Sequence, residues 1–278
     1  SLIAVFEAQE KHSDVSMLLN TYQQELGDSK EAALVKYTNS IAMGNFEEAK
    51  NAIFSLKKFG VTEALLSLFK GEVNFKQGNV NEALREFKSS YAKSPEFGTS
   101  VYIAKTLVRL QRVEEGADVL INELARTSTP SKRQYNVVAE YLNKFSFHEK
   151  AIRIYEAMEG QFSLTPEEYN NISDVNLKLG RLELAEDYIK RALTKEKSPI
   201  FLVTYTEVLL EMGRLDLAEQ SILEVLRSEE TNEYANVLLA TVYVNQGRKD
   251  DALKVINRFE EKHSAYSRNW SSLRSQLN

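Results

Sequence analysis

Three histidines and a scatter of acidic pairs are the only side chains here with an obvious claim to chemistry, and the chain has no cysteine. His12, His148 and His263 lie far apart, each near a predicted turn. An imidazole makes a metal site or activates a nucleophile only when further ligands or triad members converge on it, and no such group stands near these three. Without cysteine there is no thiolate nucleophile, Cys-ligated metal or disulfide. Glu47-Glu48, Glu114-Glu115 and Glu229-Glu230 fall at the starts or ends of predicted helices. They read as solvated charge, and the first two also suit the positive end of a helix dipole. The glycines are solitary turn residues, not a phosphate-cradling loop. No catalytic residue, cofactor or metal is expected.

Composition narrows the class. The 278 residues are 43% hydrophobic and 27% charged, which describes a folded chain. Eleven glycines and four prolines are few for this length and favour long helices over strands and turns. A net charge of -5 and a pI near 5.5 disfavour nucleic acid and anionic lipid as partners. The longest apolar run, Leu2-Ile3-Ala4-Val5-Phe6, falls far short of the roughly 20 residues that span a bilayer. The start at Ser1 is read as that of a mature or trimmed form, with any export signal, lipid anchor or further repeats lying upstream.

The elements that must position any site are set by a period. Gly-x-x-x-x-Ala occurs at Gly44…Ala49, Gly78…Ala83, Gly180…Ala185, Gly213…Ala218 and Gly247…Ala252. Gln111…Gly116 and Ser146…Ala151 are degenerate copies, so the small residues are spaced 34, 33, 35, 34, 33 and 34 apart. A weaker copy is read at Val15, Leu19 and Tyr22. A period of this size marks a repeat array. Between the marks apolar residues recur at helical spacing: Leu65, Leu68, Phe69, Val73 and Phe75, then, past a turn at Gly78, Val80, Ala83, Leu84, Phe87 and Tyr91. Each unit is therefore a hairpin of two helices.

The prolines keep the same step. Ser94-Pro95, Thr129-Pro130, Thr165-Pro166 and Ser198-Pro199 are spaced 35, 36 and 33 apart. Each pair is predicted to start a helix, with the hydroxyl residue as N-cap and proline at the first helical position. Thr165 and Glu168 complete a predicted capping box.

At these residues the chain resembles the tetratricopeptide repeat family. The early small residue of the second helix is Ala49, Ala83, Gly116, Ala151, Ala185, Ala218 or Ala252. The large one a turn later is Ile53, Phe87, Leu120, Tyr155, Ile189, Ile222 or Ile256. The first-helix small residue is Gly71, Ala104, Ala139, Ser173, Thr206 or Ala240, and Tyr37 departs from the pattern. The resemblance implies an all-α, right-handed α-solenoid (superhelix) of stacked antiparallel helix hairpins with a C-terminal capping helix. The expected layout is one array over 1–278: a partial repeat at 1–29, repeats at 30–63, 64–96, 97–130, 131–165, 166–198, 199–232 and 233–264, and a cap at 265–278. Tyr266, Trp270, Leu273 and Leu277 give the cap an apolar stripe, and Trp270 is read as packing of the cap and not as a ligand contact. If repeats lie upstream, Leu2, Ile3, Val5 and Phe6 would be exposed and allow end-to-end association of the terminal repeats; otherwise they fold under as a partial first helix.

In the family the first helices line a concave face that takes an extended peptide or a partner helix. Projection onto that pattern places Leu68, Glu72, Val101, Lys105, Arg109, Asn136, Glu140, Asn170, Asp174, Val203, Glu207, Val237 and Thr241 there. Asn136 and Asn170 are equivalent, and paired amides can hold a peptide backbone. Glu140, Asp174 and Glu207 form an acidic row expected to select a partner with basic or donor-rich groups, unless Lys105 and Lys178 neutralise it as exposed pairs. The family's carboxylate clamp is not matched, since its positions read Leu68, Glu72, Tyr102, Arg133 and Val137. The implied function is a non-enzymatic protein-interaction scaffold, in a bacterial envelope, secretion or exopolysaccharide-export assembly or as a cytoplasmic adaptor. A rival lies in the segment from Tyr135-Asn136 through Ala151-Ile152 to Tyr169-Asn170, which is similar to a pentatricopeptide repeat and implies single-stranded RNA.

Overall fold

The computed structural model describes residues 29–262 together with 270, 273, 274 and 277. Among these residues there are fourteen α-helices and no strand. They pair as hairpins: α1 (Lys30–Met43) with α2 (Phe46–Lys58), α3 (Glu63–Gln77) with α4 (Val80–Lys93), and α5 (Phe97–Arg109) with α6 (Val113–Arg126). Then follow α7 (Lys132–Lys144) with α8 (His148–Glu159), α9 (Pro166–Lys178) with α10 (Leu182–Lys195), α11 (Pro199–Glu211) with α12 (Leu215–Ser228), and α13 (Glu233–Asn245) with α14 (Lys249–Lys262). This is the architecture of an all-α solenoid. The chain divides into two compact units, Ser1–Gln134 and Tyr135–Asn278, and the division falls in the first turn of α7. The partial first repeat, with its Val15 copy, Leu2, Ile3, Val5, Phe6 and His12, lies outside the described residues, as do His263 and Tyr266.

The turn within each hairpin follows from backbone sterics. After α3, Gly78 adopts φ 82°; its N–H donates to the Phe75 carbonyl, and the Asn79 N–H donates to the Asn74 carbonyl at 2.9 Å. That pair of bonds closes a helix end around a left-handed residue, which glycine tolerates best. Gln111 and Ser146 stand where glycine is missing, yet they hold the same conformation at φ 61° and 63°. Their turns close identically, Arg112 onto Leu107 and Phe147 onto Leu142. A left-handed non-glycine residue costs about 1–2 kcal/mol, part of which glycine would lose again through its freer unfolded chain. Gln111→Gly and Ser146→Gly are each expected to raise stability by about 0.5–1 kcal/mol. Urea unfolding of either variant with a lower midpoint would contradict this turn geometry.

Two of the four prolines begin helices as expected. Pro166 and Pro199 occupy the first turns of α9 and α11, and Thr165 and Glu168 form the full capping box. The other two do not. Ser94 ends α4, its N–H donating to the Ser90 carbonyl, and α5 starts at Phe97 after Glu96. Pro130 precedes a cap made one residue later, where Ser131 and Gln134 exchange hydrogen bonds. The reason is local: a residue before proline is pushed to extended backbone, which suits a linker as well as an N-cap.

The small and large positions meet as the spacing requires. Ala83, Ala151, Ala185, Ala218 and Ala252 are fully buried, and so are Phe87, Ile189, Ile222 and Ile256. Ser173 of α9 lies close enough to α10 to donate to the Ala185 carbonyl at 2.7 Å. Tyr37, the departure from the small-residue pattern, is buried against Phe69 with ring centroids 4.3 Å apart, and its hydroxyl donates to Glu72 at 2.7 Å. The large residue thus links α1 to α3 across a repeat boundary. Within unit 2 the residue after each turn glycine is an arginine that reaches back one hairpin: Arg181 to Glu149 at 3.1 Å, Arg214 to Glu186 at 2.7 Å and Arg248 to Glu219 at 2.9 Å. The Arg181–Glu149 pair is exposed and contributes little energy, whereas Glu186 is buried and Glu219 largely covered; the contact recurs once per hairpin.

Trp270 is 1% exposed and packs 5.2 Å from the Phe259 ring, within a cluster that includes Leu239, Val255, Ile256 and Leu273. Its place is core packing.

Candidate functional site

The first helices of unit 1 carry five candidates, and two are already engaged. Glu72 accepts hydrogen bonds from Tyr37 and from Tyr102, at 2.7 and 3.3 Å. Arg109 lies 3.7 Å from the Phe75 ring centroid and donates to the Phe75 carbonyl at 2.6 Å. Leu68 is half-buried against Phe87 and its neighbours, Val101 is half-buried, and Lys105 is exposed.

Unit 2 carries the other eight. Asn136 donates to Glu168 at 2.6 Å, while the second oxygen of Glu168 accepts from the Thr165 N–H. The Asn136 amide donor is therefore tied to the cap of α9. The side-chain oxygens of both Asn136 and Asn170 are buried and have no hydrogen-bond partner. Asp174 accepts from Asn143 at 2.9 Å and from Lys178 at 2.7 Å, so Lys178 neutralises this member of the acidic row. Glu140 is exposed. Val203 is half-buried and packs onto the core, and Val237 is buried within it, so its side chain offers nothing to a surface.

Glu207 and Thr241 come together. They line one cleft of about 370 Å³ with Leu177, Leu210, Glu211, Tyr234, Leu238 and Asn245, drawn from α9, α11 and α13. The Tyr234 hydroxyl donates to Glu207, and Thr241 donates to the Val237 carbonyl. Burial is the main reason the Glu207 carboxyl holds its proton more tightly than an ordinary carboxylic acid. The negative charge of Asp174 adds to the effect; the Tyr234 hydrogen bond and the Lys178 ammonium oppose it. Equivalent-position reasoning finds Glu207 and Thr241 but not their companions. Leu177, Glu211 and Tyr234 sit at other repeat positions, and only the side-by-side arrangement of three first helices brings them to one cleft.

Because the folded pKa of Glu207 is raised, the native unit binds this proton more tightly than the unfolded chain does. Stability is therefore lost as pH rises from the ordinary carboxylate range through the raised value. Glu207→Gln keeps an acceptor for Tyr234 and removes the charge. Its melting temperature relative to the parent is expected to be more favourable at about pH 8 than at about pH 4. A difference that stays constant across that range would show that Glu207 carries no such strain.

His148 opens α8 with Nδ1 buried and unpartnered, and burial together with Lys178 lowers its pKa. Among the described residues no three His, Asp or Glu side chains cluster in a way that would hold a metal ion. No described helix is long and apolar enough to cross a membrane.

Two family models, both described as tetratricopeptide repeat, match residues 169–194 and 207–267. The second covers the end of α11 from Glu207 and all of α12 to α14, and so includes every cleft residue that α11 and α13 supply. No curated protein matches the sequence significantly. Among solved structures, the C-terminal part of a tetratricopeptide repeat protein from Cytophaga hutchinsonii is similar, with a TM-score of 0.65 at 12% identity over 90% of this chain and 100% of that one. A tetratricopeptide repeat protein from Parabacteroides merdae gives 0.62 at 15% identity, over 90% and 99%. PilW, a widely conserved type IV pilus biogenesis factor, gives 0.60 at 13%, over 77% and 99%. At these identities the structures share a fold and nothing finer. With the repeat period, the hairpin geometry and the family models in agreement, the chain is a protein of the tetratricopeptide repeat superfamily.

Proposed function

We propose that the chain is a non-enzymatic docking scaffold, and that the first helices of unit 2 receive an extended peptide or a partner helix. Folds of this superfamily generally serve as protein-interaction scaffolds without catalysis. The observation that carries the reading for this chain is the cleft across α9, α11 and α13, where leucines from three consecutive repeats and two carboxylates of α11 open to solvent together. A groove of this kind fixes a ligand through shape and a few polar contacts. The role of PilW in pilus biogenesis belongs to that protein, and neither an envelope nor a cytoplasmic placement follows for this one. Single-stranded RNA is a weaker reading, because a net charge of -5 gives the phosphate backbone little to pair with.

Panning a displayed random peptide library on the full chain tests the proposal, with the bound site mapped by backbone hydrogen exchange. Enriched peptides are expected to raise protection in α9, α11 and α13 more than in α10, α12 and α14. Protection confined to the second helices, or no enrichment over scrambled sequences, would remove the reading.

A further inference from the structure

The cleft in unit 2 has a composition that a purely apolar ligand does not explain. Leu177, Leu210 and Leu238 supply its greasy wall, Glu207 and Glu211 its charge, and no lysine or arginine lines it. The two glutamates are one helical turn apart on α11, which places their Cβ atoms roughly 5–6 Å from each other on one face. The nearby Lys178 makes its hydrogen bonds elsewhere, donating to Asp174 at 2.7 Å and to the Asn143 side-chain oxygen at 3.4 Å, and acts on Glu207 only through its field. Glu211 is exposed and has no ion-pair partner among the described residues. Tyr234, from the first turn of α13, is 46% exposed beside Glu207, so its ring is available to a ligand.

Resting on the docking reading above, we propose that this cleft receives a lysine or arginine side chain of the docked peptide, its aliphatic stem along the three leucines and its cationic head between Glu207 and Glu211. Long cationic side chains bury their methylenes on apolar surface while the head keeps polar partners. The head would meet two carboxylates and the face of a tyrosine, which attracts cations. The unfavourable burial of the Glu207 charge is what such a head would relieve.

The test uses the full chain, methyl-labelled on leucine, and acetylated alanine hexapeptide amides carrying one central lysine, arginine or norleucine. Norleucine keeps the lysine stem and lacks its charge. The lysine and arginine peptides are expected to shift the Leu177, Leu210 and Leu238 methyls saturably, binding about five- to tenfold more tightly than the norleucine peptide. Glu207→Gln combined with Glu211→Gln is expected to abolish that preference; a retained melting transition for this variant excludes misfolding. Equal binding of the norleucine peptide would leave an apolar cleft and overturn the proposal, as would the absence of selective shifts up to about 10 mM peptide. If panned peptides protect α9, α11 and α13 yet bind as well when their cationic residues are replaced, docking stands and the cation assignment falls.

Discussion

Replacing Phe87 with alanine is expected to cost unit 1 about 3–5 kcal/mol, the range for removing a fully buried aromatic ring. Phe87 has no exposed surface; it stacks on Tyr102 at 5.0 Å and tilts against Phe75 at 6.4 Å. Its ring also lies over Gly71 on α3, where an added Cβ would stand 2.6 Å from two ring carbons. Ordinary carbon contacts are about 3.5–4 Å. Gly71→Ala alone is therefore expected to destabilise. The overpacking term of about 1–3 kcal/mol outweighs the roughly 0.5–1 kcal/mol that alanine gains over glycine in a helix. The two changes act on one space. In the double variant the new methyl enters the volume vacated by the ring, so the combined loss is expected to fall short of the sum by about 1 kcal/mol or more. Gly98, with no atom within 4 Å of its added Cβ, is the control, and Gly98→Ala is expected to be neutral or stabilising. Urea unfolding of the four variants measures this, and strict additivity of Phe87 and Gly71 would deny their close approach.

The second large effect is at Trp270. Trp270→Ala is expected to cost about 3–5 kcal/mol, because the indole covers Phe259 and the end of the cluster built on α12, α13 and α14. The Trp270 Nε1 is buried without a hydrogen-bond partner, so Trp270→Phe is expected to lose less than the removed area implies. In a stack where each hairpin contacts only its neighbours, the damage is also local.

The fold was legible because its signals repeat. One Gly-x-x-x-x-Ala copy says little, whereas five at one period fix the turns, and even Gln111 and Ser146 obey once their neighbours set the step. What misled was chemistry shared by two contexts: Ser94-Pro95 reads as a helix start, but the serine ends α4 because extended backbone serves both roles. The site was legible only in part. Glu207 and Asp174 occupy equivalent positions, yet one is held by Tyr234 and the other by Lys178, and this difference lies in non-equivalent neighbours. Asn136 and Asn170 match in sequence, but only Asn136 finds a glutamate on the next repeat. A period predicts which residues share a face; it does not predict which of them their neighbours have already engaged.

The most direct measurement is native-state hydrogen exchange on the full chain carrying Trp270→Ala. Protection is expected to fall most in α13 and α14, less in α11 and α12, and not at all in α1 to α4, following the chain of neighbour contacts. A uniform loss across all fourteen helices would contradict the account, because it would mean one cooperative core and not a stack of hairpins.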